Sequence, residues 1–157
     1  MENKVNIKIR KMDISDIPFV YDNEIKIFGR SLGEKTLYNE ILYNDLAHYY
    51  LAVINDERVG YVGSWFTLPN AEILNVFVIE EYLKLGVGKA LLCKVIDLCK
   101  ELDIIYLSLE VRESNLSAIS FYKKLGFKKE AIRKGYYENK EDALLMVLDV
   151  GGLKWLF

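Results

Sequence analysis

Two stretches of this chain hold residue types at spacings that could do chemistry. In the first, Val76-Phe77-Val78-Ile79 leads through Glu80-Glu81-Tyr82-Leu83-Lys84-Leu85 into Gly86-Val87-Gly88-Lys89-Ala90-Leu91-Leu92. An apolar strand thus enters a two-glycine turn that opens directly onto an amphipathic helix. This order aims unpaired backbone N–H groups and the positive end of a helix dipole at one point. Such a point binds phosphate or pyrophosphate without a cationic side chain. A Walker loop would need glycine at Leu83 and Ser or Thr at Ala90, and a dinucleotide fingerprint would need a third glycine at Leu91. Both fail. Taken alone, the remaining Gly-x-Gly turn is explained equally well by helix initiation at Gly86 and close packing at Gly88.

The second stretch runs from Ile104 to Phe127. Alternation predicts a strand over Ile104 to Val111, with Ile105, Leu107, Leu109 and Val111 on one face and Tyr106, Ser108 and Glu110 on the other. A solvent-facing glutamate is the ordinary account of Glu110. A helix is expected from Asn115 to Leu125, stopped by Gly126, and an asparagine caps such a start well. Tyr122 falls two helical turns after Asn115, on the same face. It could be a core aromatic, but Phe121, Leu125 and Phe127 already supply apolar anchors there.

The remaining elements must position these residues. Val5 to Arg10 alternates as an opening strand, and Ser15-Asp16 with Pro18 starts a helix reaching Phe28. A second helix is expected over Glu34 to Asn44. Tyr49 to Ile54 and Arg58 to Leu68 read as strands joined by Asn55-Asp56-Glu57. Pro69-Asn70 marks a turn, Glu72 to Ile79 a strand, and the helix after Gly86 runs to about Leu102. Phe127 to Arg133 and Ala143 to Val150 read as a closing hairpin. Residues 1–150 are expected to form one domain. An apolar tail follows, Gly151-Gly152-Leu153-Lys154-Trp155-Leu156-Phe157, whose aromatic content favours docking over free solvation.

Composition narrows the class. At 157 residues, 52% hydrophobic and 28% charged, the chain suits a single folded core. A formal charge of −2 argues against a protein built to hold nucleic acid. No apolar run is long enough to span a bilayer and the N-terminus lacks a signal-peptide core, so a cytoplasmic protein with no membrane partner is expected. Cys93 and Cys99 fall roughly on different faces of one helix and read as free thiols. His48 is the only histidine, which leaves a zinc site or a Ser-His-Asp triad without its ligands; no metal is expected.

Four segments occur together in order: Gly86-Val87-Gly88, Glu110-Val111-Arg112-Glu113-Ser114-Asn115, Phe121-Tyr122-Lys123-Lys124-Leu125-Gly126-Phe127, and Arg133-Lys134-Gly135-Tyr136-Tyr137. The set resembles the GNAT acetyltransferases, and most closely the RimI-type ribosomal-protein-alanine N-acetyltransferases, over roughly residues 5 to 150. The resemblance implies an α+β fold, a mixed central sheet of about seven strands flanked by about four helices, with its central strands splayed. It implies acetyl-CoA as co-substrate. The pyrophosphate would sit on the amides of Lys84, Leu85, Gly86, Val87, Gly88 and Lys89, and the pantetheine arm would pair with the backbone of Val76, Phe77 and Val78. Asn115 and Tyr122 would contact CoA.

The same resemblance makes Glu110 the general base and Tyr122 the donor to the departing sulfur, while Tyr136 and Tyr137 resemble an aromatic gate for the first residues of a peptide. Paired tyrosines in a hairpin also often simply pack across strands. The acceptor would be a protein α-amino group, by analogy the N-terminal alanine of a small-subunit ribosomal protein, handled by a monomer or weak dimer. At pH 7 roughly a tenth of an α-amino group is neutral against about 0.04% of a lysine, a difference of about 250-fold that favours N-termini. A small-molecule amine or a lysine as acceptor, and a non-catalytic CoA-binding module, are the alternatives. Two positions depart from the family pattern: Leu83 stands where Gln or Arg is usual, and Glu80 where Pro is common.

Overall fold

The chain starts its first strand where alternation meets a capped turn. In the computed structural model, which describes residues 5–151, β1 covers Lys8–Lys11, three residues later than the alternation suggested. Asp13 accepts from the Ser15 amide, and Asp16 reaches back to the Asp13 amide (2.9 Å), closing a capping box around the 3₁₀ turn Ile14–Asp16. Helix α1 follows over Ile17–Phe28 with Pro18 at its start and Gly29 in the left-handed conformation at its end. Helix α2 is Glu34–Tyr43.

β2 (Ala47–Ile54) and β3 (Glu57–Thr67) form the expected hairpin, shortened to a two-residue turn: Asn55 and Asp56 both have positive φ, 50° and 64°. That is the turn whose twist matches its flanking strands, and Asn and Asp tolerate it best after glycine. β4 is Asn70–Val78, α3 Val87–Glu101, β5 Tyr106–Arg112, α4 Leu116–Lys124, β6 Lys128–Arg133 and β7 Ala143–Asp149.

The strands make one sheet in the order β1-β2-β3-β4-β5-β7-β6. β4 and β5 are parallel; β7 inserts between β5 and β6 and is antiparallel to both. The β4–β5 ladder starts at Asn70↔Tyr106 and ends at Ile73↔Leu109, where the expected splay of the central strands requires pairing to stop. β5 instead stays paired with β7 to its last residue, Arg112↔Ala143.

The described residues fall into two compact units. One runs through Phe66 and adds Asn75–Val95; the other is Thr67–Leu74 with Ile96 onward. In the first, Val20, Leu37, Leu51, Val59, Tyr61 and Val62 are fully buried beside Leu91, Leu92 and Val95 of α3. Each such aliphatic side chain contributes about 2 kcal/mol. In the second, Leu107, Leu109 and Val111 of β5 face Phe127, Met146 and Leu148, all buried.

Ile105 departs from the alternation, being 44% exposed. It precedes β5 rather than opening it: its amide donates to the Pro69 carbonyl (2.7 Å), and its carbonyl accepts from Val150 and Gly151. Ile104 is buried in its place. β6 is exposed along its whole length and carries Lys128, Lys129, Glu130 and Arg133, a charged edge that discourages pairing with another chain. From residue 152 on, the expected apolar tail lies outside the described residues. No described helix is long and apolar enough to cross a membrane.

Candidate active site

In the first unit, β4 leads into the glycine turn through a 3₁₀ turn over Glu80–Tyr82, held by the Tyr82 hydroxyl on Glu57 (2.8 Å). Lys84 and Gly86 both take positive φ, 65° and 88°, and bend the chain back onto α3. The first helical bond runs from the Ala90 amide to the Gly86 carbonyl (3.0 Å), so the amides just ahead of Ala90 have no intrahelical acceptor. A side chain built at Gly86 would meet no atom within 4 Å. The turn is therefore open, and left-handed at Gly86, which fits a bulky anion set against backbone amides. Lys84 and Lys89 are exposed beside it; Leu83 and Leu85 are exposed too, at 53% and 44%. Leu83 thus supplies no polar group to an anion.

The β4 residues expected to meet the pantetheine arm are braced from behind. Phe77 is buried against the rings of Tyr61 (5.3 Å between centroids) and Phe19 (5.8 Å). Val76 and Val78 are partly exposed. The Val76 amide donates to its neighbour's side-chain oxygen, Asn75 Oδ1 (3.1 Å), while Asn75 Nδ2 donates to Glu24 (2.6 Å). Glu24, almost fully buried in α1, also accepts from Ser31 Oγ (2.7 Å). This brace escaped the sequence reading. Its signal was a glutamate at i+7 from Ile17 and i+4 from Val20, on the face of α1 that is buried.

The second unit gathers the other candidates. Asn115 is the N-cap of α4 and accepts from the Ala118 amide (3.2 Å). Tyr122, 8% exposed, packs on the rings of Phe121 and Phe127. Burial, and to a lesser degree the nearby Tyr137, push its phenol up to about 12, so it is a neutral donor throughout the physiological range. A depression of about 460 Å³ lies along α4 between Leu116, Ile119, Ser120, Lys123 and Lys124; Glu110 is not among its lining residues.

The Glu110 side chain is 28% exposed. One carboxylate oxygen, Oε1, forms an ion pair with Arg133 Nη2 at 3.0 Å; the other, Oε2, is buried with no hydrogen-bond partner among the described residues. The guanidinium of Arg133 lies over the Tyr136 ring at 4.6 Å, and that of Arg112 over the Tyr137 ring at 3.9 Å. The two tyrosine rings meet edge to face at 5.1 Å. Burial raises the Tyr137 phenol, with Arg112 opposing and Glu110 reinforcing that shift.

The loop carrying the tyrosines is anchored by Glu141, which accepts from the Ser114 amide (2.7 Å) and pairs with Arg112 (3.3 Å). Those bonds, from Ser114 above all, hold its carboxyl down at about 2. Gly135 closes the turn by donating to Asp142 (2.9 Å). Glu110, Tyr136 and Tyr137 thus belong to one cluster knitted by Arg133 and Arg112, two arginines the sequence reading assigned no role.

The first unit thus offers a glycine turn open to an anion; the second offers a carboxylate whose Oε2 has no hydrogen-bond partner among the described residues, and a neutral phenol. Residues 17–127 match the acetyltransferase (GNAT) family model, and the chain belongs to that family. It is therefore an acetyltransferase, with acetyl-CoA as the acetyl donor. The chain is 39% identical over 144 residues, 91% of this chain and 95% of the relative, to a Bacillus subtilis (strain 168) protein named putative ribosomal protein bS18-alanine N-acetyltransferase. The ribosomal protein bS18-alanine N-acetyltransferase of Escherichia coli (strain K12) is 31% identical over 147 residues, covering 90% of this chain and 97% of that one. The crystal structure of the ribosomal-protein-S18-alanine N-acetyltransferase from Escherichia coli matches with a TM-score of 0.84 at 29% identity, over 92% of this chain and 94% of the other.

Proposed function

We propose that this enzyme acetylates the N-terminal α-amino group of a protein, with the N-terminal alanine of a small-subunit ribosomal protein as its acceptor, met in the cytoplasm. The observation that carries this reading is the Glu110 carboxylate, ion-paired at one oxygen and without a hydrogen-bond partner among the described residues at the other, beside the Tyr136–Tyr137 pair. The names of the bacterial relatives point to the same acceptor.

On this reading the amides of Lys84, Leu85, Gly86, Val87, Gly88 and Lys89 hold the CoA pyrophosphate, and the backbone of Val76, Phe77 and Val78 takes the pantetheine amides. Asn115 adds a polar contact from the start of α4. Glu110, directly or through a water, takes a proton from the acceptor's ammonium, and the freed lone pair attacks the thioester carbonyl. The oxygen of that carbonyl is stabilised by the Phe77 or Val78 amide. As the C–S bond breaks, nitrogen loses its second proton to solvent and sulfur leaves as thiolate with the bonding electrons.

Tyr122 then faces a thiolate whose parent thiol has a pKa of about 8.5, while its own phenol is held at about 12. Complete transfer of its proton would run uphill by about 5 kcal/mol. Its role is a hydrogen bond to the sulfur as charge builds up, not full protonation. Tyr136 and Tyr137 cradle the first residues of the acceptor.

The test is thiol release from acetyl-CoA with three acceptors: a basic peptide starting with Ala, the same peptide with a blocked N-terminus and an internal lysine, and a polyamine. Turnover on the first at rates at least about 10²-fold above the others is expected, as the neutral fractions at pH 7 dictate. Equal or greater turnover on the blocked peptide or the polyamine would overturn the acceptor assignment.

A further inference from the structure

We infer that Arg133 is a positioning residue: by binding Oε1 of Glu110 it fixes the carboxylate so that Oε2 is the oxygen that takes the acceptor's proton. The inference rests on the reading of Glu110 as base and goes beyond it in naming the oxygen and the group that selects it.

Geometry supports it at three points. The first is the division of labour on the carboxylate: Oε1 is engaged by Arg133 Nη2 at 3.0 Å, while Oε2 is buried and has no described partner. A buried carboxylate oxygen left without a donor is costly, and natural structures seldom keep one unless it has a use. The second is that the pair contributes little as a stability device, because the Arg133 side chain is 58% exposed on an edge strand.

The third is the strand register that delivers Arg133 to this face. Lys129 pairs with Met146, yet Ala131 pairs with Leu145, so Glu130 is an extra residue bulged out of β6. β7 gives Leu145 to Glu110 and Ala143 to Arg112 on its other side. Because of the bulge, Ala131 shares the row of Glu110, and Arg133 the row of Arg112 and Ala143. Without it, every β6 residue beyond Lys129 would shift by one and Arg133 would point to the opposite side of the sheet. Ala143, the residue Arg133 must cross, is small. The guanidinium is further held over Tyr136, so the base and the aromatic pair share one clamp.

The experiment uses the full chain with acetyl-CoA and the Ala-starting peptide, comparing Arg133→Ala, Glu110→Gln and the double variant, with Tm measured for each. Arg133→Ala is expected to lower kcat about 10-fold or more with the KM for acetyl-CoA and Tm little changed. Added guanidinium ion at millimolar concentration should restore part of that loss. In the Glu110→Gln background the Arg133 substitution should cost nothing further, because its target is gone. Should the alanine variant unfold, Arg133→Gln, which keeps the stem over Tyr136 and removes the charge, takes its place.

A wild-type kcat in the Arg133 variant, a change confined to the KM for peptide, or full additivity in the double variant would each overturn the positioning role. Turnover near wild type in Glu110→Gln would instead remove the base on which it stands, so the two failures are distinguishable.

Discussion

Tyr122 shows how burial decides what a side chain can do. Enclosed by Phe121 and Phe127 and beside Tyr137, its phenol is held at about 12 against an ordinary value of 10. A raised phenol pKa keeps the proton on oxygen up to that value, so the donor persists through any pH at which the protein is assayed. kcat at a saturating α-amino acceptor should therefore show no downturn from loss of the Tyr122 proton up to about pH 10. A pH profile that turns down with an apparent pKa of 9 would mean that another group is essential. Tyr122→Phe removes one hydrogen bond to a developing charge, which amounts to about 10- to 10²-fold in kcat, with little change in the KM for acetyl-CoA. Equal loss in KM and none in kcat would place Tyr122 in ground-state binding alone.

At the scale of elements, the glycine turn depends on how closely β3 approaches the start of α3. A Cβ at Gly60 would stand 3.0 Å from the Phe77 carbonyl oxygen, 3.1 Å from Val87 and 3.2 Å from Leu91. Two of these are buried side chains and one is backbone, so Gly60→Ala must push β4 and the helix start apart. It is expected to destabilise the protein by about 1–3 kcal/mol, read as a denaturant midpoint, and to raise the KM for acetyl-CoA more than that for peptide.

Gly86 is the contrasting case. There is open space around it, and Gly86→Ala costs only the strain of a left-handed residue, about 1 kcal/mol, again with weaker acetyl-CoA binding. Isothermal titration with CoA would rank the two variants. Should both bind as the parent does, the turn is not the anion site.

The turn, the capped α4 and the hairpin tyrosines were legible because each rests on local rules: glycine where φ is positive, asparagine at a helix start, alternation along a strand. Glu24, Asn75 and Arg133 were not. Glu24 is a charged residue in a buried stripe, and its partner lies far along the chain in β4. Arg133 owes its face to a bulge at Glu130, which a strict two-residue period cannot reveal. The exposed Ile105 misled for the converse reason, since an apolar residue in phase with a strand can still precede the ladder.

Considered whole, the molecule carries a depressed carboxylate in each of its two units, and acid should find both. In the first, burial pushes the Asp16 carboxyl up, but hydrogen bonds from Arg10, from the Asp13 amide and from Arg58 outweigh it and bring it down to about 2. In the second, Glu141 sits at about 2 on bonds from Ser114, Asn139 and Arg112. A carboxylate whose folded pKa lies below its unfolded value lends stability that is present above about pH 4 and is lost as pH falls toward 2. For the fully buried Asp16 the amount is roughly 2 kcal/mol.

The wild type should therefore weaken steeply between pH 4 and 2, and its advantage over Asp16→Asn, measured by urea denaturation, should shrink across the same interval. Glu141 is partly exposed on a surface loop, and Glu141→Gln should leave the global midpoint nearly unchanged. It should instead speed hydrogen exchange at the Ser114 amide and in the 134–142 loop, and lower kcat by loosening Tyr137. An Asp16→Asn penalty that stayed constant from pH 5 to pH 2.5 would show that the arginines stabilise the first unit through packing of their stems rather than through the charge they share with Asp16.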